Sequence, residues 1–184
     1  VEDDTITRAM AVGAISYAYP FIKRTSSGSH IVGPIAQVVA RPAHVSQRRL
    51  PDEDAKSLVW DDTLLFDVDK FSGWDRMETG TRANVGFQYT YQSTGGGSAR
   101  VIVGQSYHLS GTNPYDDPGQ LGNVTGNPFI FNPNSGLETS RSDYVLGAYL
   151  APAAGFRLVS QARFDERDLS LRRNDTYTSF TAGP

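Results

Sequence analysis

The chain contains no cysteine, which excludes disulfide bonds, thiolate catalysis and cysteine-ligated metal within its 184 residues. It has no run of lysine or arginine, and its formal net charge is −3, so its composition gives no reason to expect binding to nucleic acid. No apolar stretch approaches the roughly 20 residues that a membrane-spanning helix requires. The first seven residues, VEDDTIT, are acidic and polar, which is unlike a secretory signal peptide.

The sequence also lacks the 3.6-residue periodicity of helices. Apolar and polar residues instead alternate with a period of two residues. Glycine, tyrosine and phenylalanine are abundant, as is typical of strands joined by turns. The clearest case is the segment 82–92 (RANVGFQYTYQ), in which apolar and aromatic side chains alternate with polar residues and glycine. This segment is predicted to be a β-strand with one apolar face and one polar face.

The same reasoning predicts about seven strands within one domain spanning residues 1–184. They lie near residues 6–23, 29–41, 82–92, 99–110, 142–152, 155–166 and 168–180. Two long loops, 42–81 and 111–141, interrupt the series, and the other connections are short. Outer-membrane barrels combine short periplasmic turns with long extracellular loops. The pattern therefore predicts an all-β, antiparallel, up-and-down transmembrane β-barrel segment. Because bacterial barrels use an even number of strands from eight upward, the segment is interpreted as part of a larger barrel.

A soluble β-sandwich is the alternative, since its strands also alternate. Two features favour the barrel. Loops of about 30 to 40 residues are uncommon in compact soluble domains, and the polar faces of the strands carry residues suited to a wet lumen. The candidate lumen-facing residues are Asn84, Gln88, Arg100, His108, Arg157, Gln161, Arg163 and Asp165.

The stretch 71–82 (FSGWDRMETGTR) places four charged residues between two aromatic residues and two glycines. Paired carboxylates such as Asp75 and Glu78 can serve acid–base catalysis, as they do in glycosidases. The same charges can instead fasten a long loop through charge-assisted hydrogen bonds, which is the commoner use of such a cluster and the one we predict. The residues of this structural loop motif are Ser72, Gly73, Asp75, Arg76, Glu78, Gly80 and Arg82.

Metal and cofactor sites are not predicted. Asp67, Asp69 and Glu78 fit positions 1, 3 and 12 of a calcium-binding EF-hand loop, but a Phe and a Ser stand where that loop needs an oxygen ligand and a glycine. The three histidines, at positions 30, 44 and 108, lack the spacing of a zinc site. His108 also remains a candidate catalyst for the alternative that the chain is an outer-membrane enzyme.

The segment 64–86 (LLFDVDKFSGWDRMETGTRANVG) resembles the corresponding stretch of the LptD, or organic solvent tolerance, family of outer-membrane lipopolysaccharide-assembly proteins. Further pieces occur in the order typical of that family: PIAQVVARP at 34–42, PDED at 51–54, VGQSYHL at 103–109, SDYV at 142–145 and ARFDER at 162–167. The resemblance covers roughly residues 20–180. Gly33 and Asp52 depart from it, because the family often has an acidic residue at the first position and Asn at the second.

The resemblance implies a non-enzymatic part of the wall of the lipopolysaccharide translocon, integral to the outer membrane of a Gram-negative cell. It implies lipopolysaccharide, outer-membrane lipid, a plug lipoprotein like LptE and the periplasmic bridge protein LptA as partners, and no cofactor. A porin-type channel is the remaining alternative; it shares the alternation of the strands but does not predict the charged loop motif.

Overall fold

A computed structural model describes residues 9–43, 54, 58–116 and 134–181. These residues form eight strands and no helix. Accordingly, none of the described residues belongs to a helix able to cross a membrane. The strands are β1 (Gly13–Ala18), β2 (Phe21–Thr25), β3 (Gly28–Ala40), β4 (Thr81–Ser93), β5 (Ser98–Ser110), β6 (Tyr144–Ala151), β7 (Phe156–Phe164) and β8 (Leu171–Phe180).

All strand pairs in the described part of the chain are antiparallel and belong to a single open sheet, which confirms the predicted all-β, up-and-down class. The order across the sheet is β1, β3, β4, β5, β6, β7 and β8, and β2 pairs with β3 beside β1. The turns β2–β3, β4–β5 and β6–β7 lie at one end of the sheet, called here the short-turn end. The long connections β3–β4 and β5–β6 lie at the opposite, long-loop end.

The prediction of a single strand near residues 6–23 is wrong, because the described part of this segment contains two strands. Both β1 and β2 run along β3, and Tyr19 and Pro20 interrupt them opposite Gly33 and Pro34. Proline has no backbone N–H to donate, so Pro34 cannot return a second ladder hydrogen bond to Tyr19. Only the bond from Tyr19 N to Pro34 O, 3.2 Å long, bridges the gap. The described residues therefore form eight strands rather than the seven predicted.

Parts of both long loops, and residues 6–8 of the first predicted strand, lie outside the described residues. So do His44 and Asp52.

The two faces of the sheet differ in chemistry, and the exposed face is the apolar one. The apolar face carries Val38, Val85, Phe87, Val103 and Leu150, whose exposed fractions lie between 37% and 49%. The polar face carries Gln37, Asn84 and Ser106, all buried, with Asn84 fully so. A water-soluble sheet buries its apolar face, so this sheet has the opposite polarity.

The hydrophobic core explains how polar strand residues become buried. Its members come from the two long loops and from Val145 of β6, which points to the polar face. The cluster consists of Leu58, Trp60, Leu65, Tyr115, Leu137 and Val145, with Leu64, Phe66 and Phe71 packed against it. The loops thus form a compact layer of their own on top of the polar face.

Candidate functional site

The candidate site is the contact between the polar face and residues 58–80, called here the docked loop. Three glycines on adjacent strands make room for it: Gly86 on β4, Gly104 on β5 and Gly147 on β6. A Cβ atom at Gly86 would lie 3.0 Å from the Phe66 ring, and one at Gly104 would lie 2.4 Å from a Leu65 methyl group. A Cβ atom at Gly147 would lie 2.2 Å from the Asp62 carboxylate. The absence of side chains at these positions lets the loop lie directly on the sheet.

Asp62 fastens the near end of the docked loop to β6 and β7. Its carboxylate accepts hydrogen bonds from the Tyr149 hydroxyl at 2.6 Å and from the Gln161 amide at 3.0 Å. Asp62 is buried, and hydrogen bonds to a charged acceptor are roughly twice as strong as neutral ones. The amide of Gln37 adds a third attachment by donating to the Phe66 carbonyl at 2.8 Å.

Glu78 fastens the far end of the loop. One carboxylate oxygen accepts a hydrogen bond from the Tyr115 hydroxyl at 2.8 Å, and the other forms ion pairs with Arg41, at 3.1 Å, and with Arg82. The side chains of Glu78, Arg41 and Arg82 are each at most 8% exposed. Burial, followed by the negative charge of Glu78, raises the pKa of Tyr115 well above its ordinary value, so Tyr115 remains a hydrogen-bond donor.

The two arginines also bind the loop backbone. Arg82 donates to the carbonyls of Asp67 at 2.6 Å and Val68 at 3.0 Å, and Arg41 donates to the same Val68 carbonyl. A guanidinium group offers five N–H donors in a fixed plane, which suits it to join a carboxylate and carbonyls simultaneously. The two guanidinium groups thereby connect the Glu78 carboxylate to the backbone of the docked loop.

A chain of neutral hydrogen bonds continues from the loop across the polar face. The Asn84 amide donates to Gln37 at 2.7 Å, and the Ser106 hydroxyl donates to Asn84 at 2.7 Å. Beyond Ser106, the Ser142 hydroxyl accepts the backbone N–H of Ser106 at 2.9 Å. Each buried amide and hydroxyl in this series of hydrogen bonds therefore has a partner, as buried polar groups require.

Lys70 is buried inside the docked loop, with an exposed fraction of 2%. Its ammonium group donates to the carbonyls of Leu64 and Leu65 at 3.0 and 3.5 Å and lies 4.9 Å from the centroid of the Trp60 ring. Burial, and secondarily the positive charge of Arg82, lowers the pKa of Lys70 to about 7.

The remaining residues of the predicted loop motif lie between Asp62 and Glu78, except Gly80, which follows Glu78. The Asp75 backbone N–H donates to the Asp54 carboxylate at 2.6 Å, and Gly73 leaves room for that carboxylate, since a Cβ there would lie 1.9 Å from it. Arg76 is 3% exposed and donates to the Asp75 carbonyl at 3.1 Å, whereas Ser72 is exposed. Gly80 has a φ of 79° and hydrogen bonds the backbone of Arg41 and Pro42, at the start of β4.

The acid–base alternative finds no support in this arrangement, because both oxygens of Glu78 accept from Arg or Tyr side chains. The calcium frame does not assemble either. Asp69 accepts the Phe71 backbone N–H at 3.0 Å, and burial raises the pKa of Asp69, which disfavours an ionised ligand. Among the described residues, no three acidic or histidine side chains converge as a metal site.

Seven of the eight candidate lumen-facing residues lie on one face of the sheet. The strand register puts Asn84, Gln88, Arg100, His108, Arg157, Gln161 and Arg163 on the polar face. Asp165 follows β7 in the turn to β8, where a hydrogen bond from Arg172 lowers its pKa to about 2. His108 lies beside Arg82 in the register, and its Nε2 is 3.1 Å from the Gly111 carbonyl oxygen.

Sequence reasoning missed several residues of the site, namely Gln37, Arg41, Asp62, Lys70, Tyr115 and Tyr149. Arg41 lies in PIAQVVARP, a segment that resembles the family, so its sequence context could have indicated it. The three polar-face glycines lie in segments with alternating side chains, which could have indicated that they share one face. The partners of Asp62 lie 87 and 99 residues away in the chain, and no local pattern points to them.

The chain is similar to a known protein family. The model of the family described as LptD, LPS transport system D, matches residues 1–183. No curated protein matches the chain. Members of this family act in lipopolysaccharide transport and assembly at the outer membrane, bind lipopolysaccharide and work with other proteins of the same pathway; they are transport proteins rather than enzymes.

Proposed function

The chain belongs to the LptD family, and on this basis we propose that it forms part of the wall of an outer-membrane β-barrel that translocates lipopolysaccharide. The observation that carries the proposal is the polarity of the sheet. Large apolar side chains are exposed on one face, while the other face buries polar residues beneath the loops. In a transmembrane barrel the apolar face contacts lipid, and the polar face lines the lumen.

The dimensions of the apolar face support this orientation. On β4 the apolar side chains extend from Ala83 to Tyr91, a distance of about 27 Å at the rise of a strand. The lipid-facing band of an outer-membrane barrel is about 25 Å tall and is flanked by aromatic residues. Aromatic residues occur toward both ends of the apolar face: Phe21, Tyr89, Tyr91, Phe156 and Phe180 toward the short turns, and Tyr107, Tyr144 and Phe164 toward the long loops.

The docked loop gives the wall a second role. Phe66 rests on Gly86, which lies near the middle of β4, so the loop covers the lumen side of the wall to about half its height. Fixed there by Asp62 and Glu78, it narrows the lumen from the long-loop side and keeps the barrel impermeable to large solutes. The structural loop motif therefore serves as a fastening.

The mechanism requires no nucleophile and no cofactor. The sheet satisfies the backbone hydrogen bonds that hydrocarbon cannot satisfy, and the polar face supplies a wet surface for the sugar part of the lipid. A plug lipoprotein like LptE in the lumen and a periplasmic bridge protein like LptA at the short-turn side complete the proposed assembly.

Two neighbouring substitutions test the orientation of the sheet. Phe87 lies on the apolar face at the centre of the band, and Gln88 lies on the polar face beside it. Arg at a lipid-facing midplane position destabilises a barrel by about 2–4 kcal/mol. We expect Phe87→Arg to reduce the amount of heat-modifiable folded protein in detergent extracts, and Gln88→Arg to leave it near the wild-type amount. Equal loss in both variants would contradict the orientation.

Depletion of the protein separates the translocon from a porin-type channel. Because a translocon delivers lipopolysaccharide, depletion is expected to lower the surface lipopolysaccharide measured by antibody labelling. A channel would alter solute uptake and leave that surface amount unchanged, and this outcome would refute the transport function.

A further inference from the structure

A groove lies on the polar face near the short-turn end, away from the docked loop. It has a volume of about 400 Å³ and is lined by β4, β5, β6, β7 and β8. Its floor contains the small residues Ser98 and Ala151, which pair with each other in the register. Arg100 is the next residue after Ser98 on the same face of β5, and Arg157 lies on β7, the strand beside Ala151.

The groove has an excess of positive charge. Its lining contains Arg100 and Arg157 but no Asp or Glu. Within the described part of the chain, neither arginine forms an ion pair, whereas Arg41, Arg82 and Arg163 do. Two guanidinium groups without an ion-pair partner in one concave surface attract an anion.

The position of Arg100 is set by a tyrosine. Its guanidinium carbon lies 5.5 Å from the centroid of the Tyr149 ring, and the Tyr149 hydroxyl is held by Asp62 of the docked loop. A cation stacked on an aromatic ring loses less freedom when its N–H groups bind an acceptor. The docked loop therefore orients Arg100 indirectly through this ring.

The spacing of the two arginines suits a small tetrahedral anion. Arg100 and Arg157 lie two strands apart and one same-face position apart along the strands, which separates their Cα atoms by about 12 Å. Both side chains can reach an anion held above Ser98 and Ala151. Arginine binds phosphate oxygens through pairs of parallel N–H···O bonds, and such charge-assisted bonds are short and strong.

We propose that Arg100 and Arg157 form a binding site for a phosphate group carried on the sugar part of a glycolipid. This inference rests on the proposed function, because it names the part of lipopolysaccharide that the polar face recognises. Short turns face the periplasm in outer-membrane barrels, so the site lies on the side from which the lipid arrives. Tyr177, which also lines the groove, provides a flat surface for a sugar ring.

The test is equilibrium binding of fluorescent lipopolysaccharide to the detergent-purified protein. The variants are Arg157→Gln, the double variant Arg100→Gln with Arg157→Gln, and the control Arg24→Gln. Arg24 lies on the polar face near the same short-turn end, on β2, outside the groove. Its substitution removes the same charge from the same side of the sheet. The heat-modifiable gel shift verifies that each variant is folded, and Arg157→Gln, at an exposed position, provides the test if the double variant does not fold.

The double variant is expected to bind at least about tenfold more weakly than the wild type, since each hydrogen bond to a charged group contributes about that factor. Arg24→Gln is expected to change the affinity less than twofold. Enzymatically dephosphorylated lipopolysaccharide should bind the wild type and the double variant equally. Unchanged affinity of the double variant, an equal loss in Arg24→Gln, or an equal loss with the dephosphorylated lipid would overturn the site.

Inorganic phosphate is the third probe, and it distinguishes the source of the anion. If it displaces lipopolysaccharide from the wild type at millimolar concentration, the arginine pair binds the free anion; if it does not, the pair requires phosphate attached to the glycolipid. Wild-type protein that binds inorganic phosphate through the pair but no lipopolysaccharide would retain the site and refute the proposed function. Wild-type protein that binds lipopolysaccharide equally well without the arginine pair would refute the site and leave the proposed function standing.

Discussion

Glu78 and Arg82 form a buried ion pair across the junction where the docked loop becomes strand β4. They are four residues apart in the chain, and their side chains are 4% and 8% exposed. Arg41 shares the same carboxylate oxygen at 3.1 Å, and Tyr115 occupies the other oxygen. One carboxylate thus joins both long loops to the ends of two strands.

Glu78→Ala removes the shared partner and leaves two buried guanidinium groups with one acceptor fewer. Breaking a buried ion pair from one side typically destabilises a protein by about 3–5 kcal/mol. We therefore expect the folded, heat-modifiable band to disappear at a clearly lower temperature than in the wild type. Asp116→Ala, at an exposed position next to Tyr115 in the β5–β6 loop, is the control and should leave that temperature unchanged. Matching temperatures for the two variants would show that Glu78 is no fastening.

Gly147→Ala tests the docking of the loop while leaving the strand itself intact. The added methyl group would lie 2.2 Å from the Asp62 carboxylate and displace it from Tyr149 and Gln161. We expect increased cleavage within the docked loop when intact cells are treated with protease. Gly13→Ala is the matched strand control, because no atom lies within 4 Å of its new methyl group. The same protection in both variants would argue against the glycine contact.

The lowered pKa of buried Lys70 predicts that the stability of the protein depends on pH. Its pKa is lowered to about 7 by burial first and by Arg82 second, whereas an unfolded lysine titrates near 10.5. Between these values the unfolded state binds the extra proton, so stability rises as the pH rises, by at most about 1.4 kcal/mol per pH unit. Below pH 7 the lysine is charged in both states and adds no further dependence.

The measurement for Lys70 is the unfolding temperature of the purified protein between pH 6 and pH 9.5. Lys70→Met keeps an apolar stem of similar length against Trp60 and removes the titrating group. We expect the rise above pH 7 to be reduced in this variant. An identical pH profile in the wild type and in Lys70→Met would exclude Lys70 as the source.

Arg76→Ala tests the seal that the charged loop is proposed to provide. Arg76 is 3% exposed, so its loss leaves a gap in a packed part of the loop. Cells that carry this variant are expected to become sensitive to a large antibiotic that the intact outer membrane excludes. Ser72→Ala, at an exposed position of the same motif, should preserve resistance. Normal folding and full resistance in Arg76→Ala would refute the fastening role of this residue.

Some of this architecture was visible in the sequence, because alternation is a local property. The segment RANVGFQYTYQ predicted a strand with an apolar and a polar face, and β4 spans Thr81–Ser93 with that division. The charged motif around Glu78 was also recognisable, since Arg82, one of the partners of Glu78, lies only four residues away in the chain. The break between β1 and β2 at Tyr19 and Pro20 was not predicted, because the alternation of side chains continues on both sides of it.

The sequence by itself determined the antiparallel strands, the placement of polar residues on one face and the family to which the chain belongs. Only the tertiary structure decided what covers the polar face. Gly86, Gly104 and Gly147 lie on three strands and become one surface through the register. Arg41 and Tyr115 reach Glu78 from 37 residues away on either side. Such contacts depend on how strands align and loops return, which a period of two residues cannot encode.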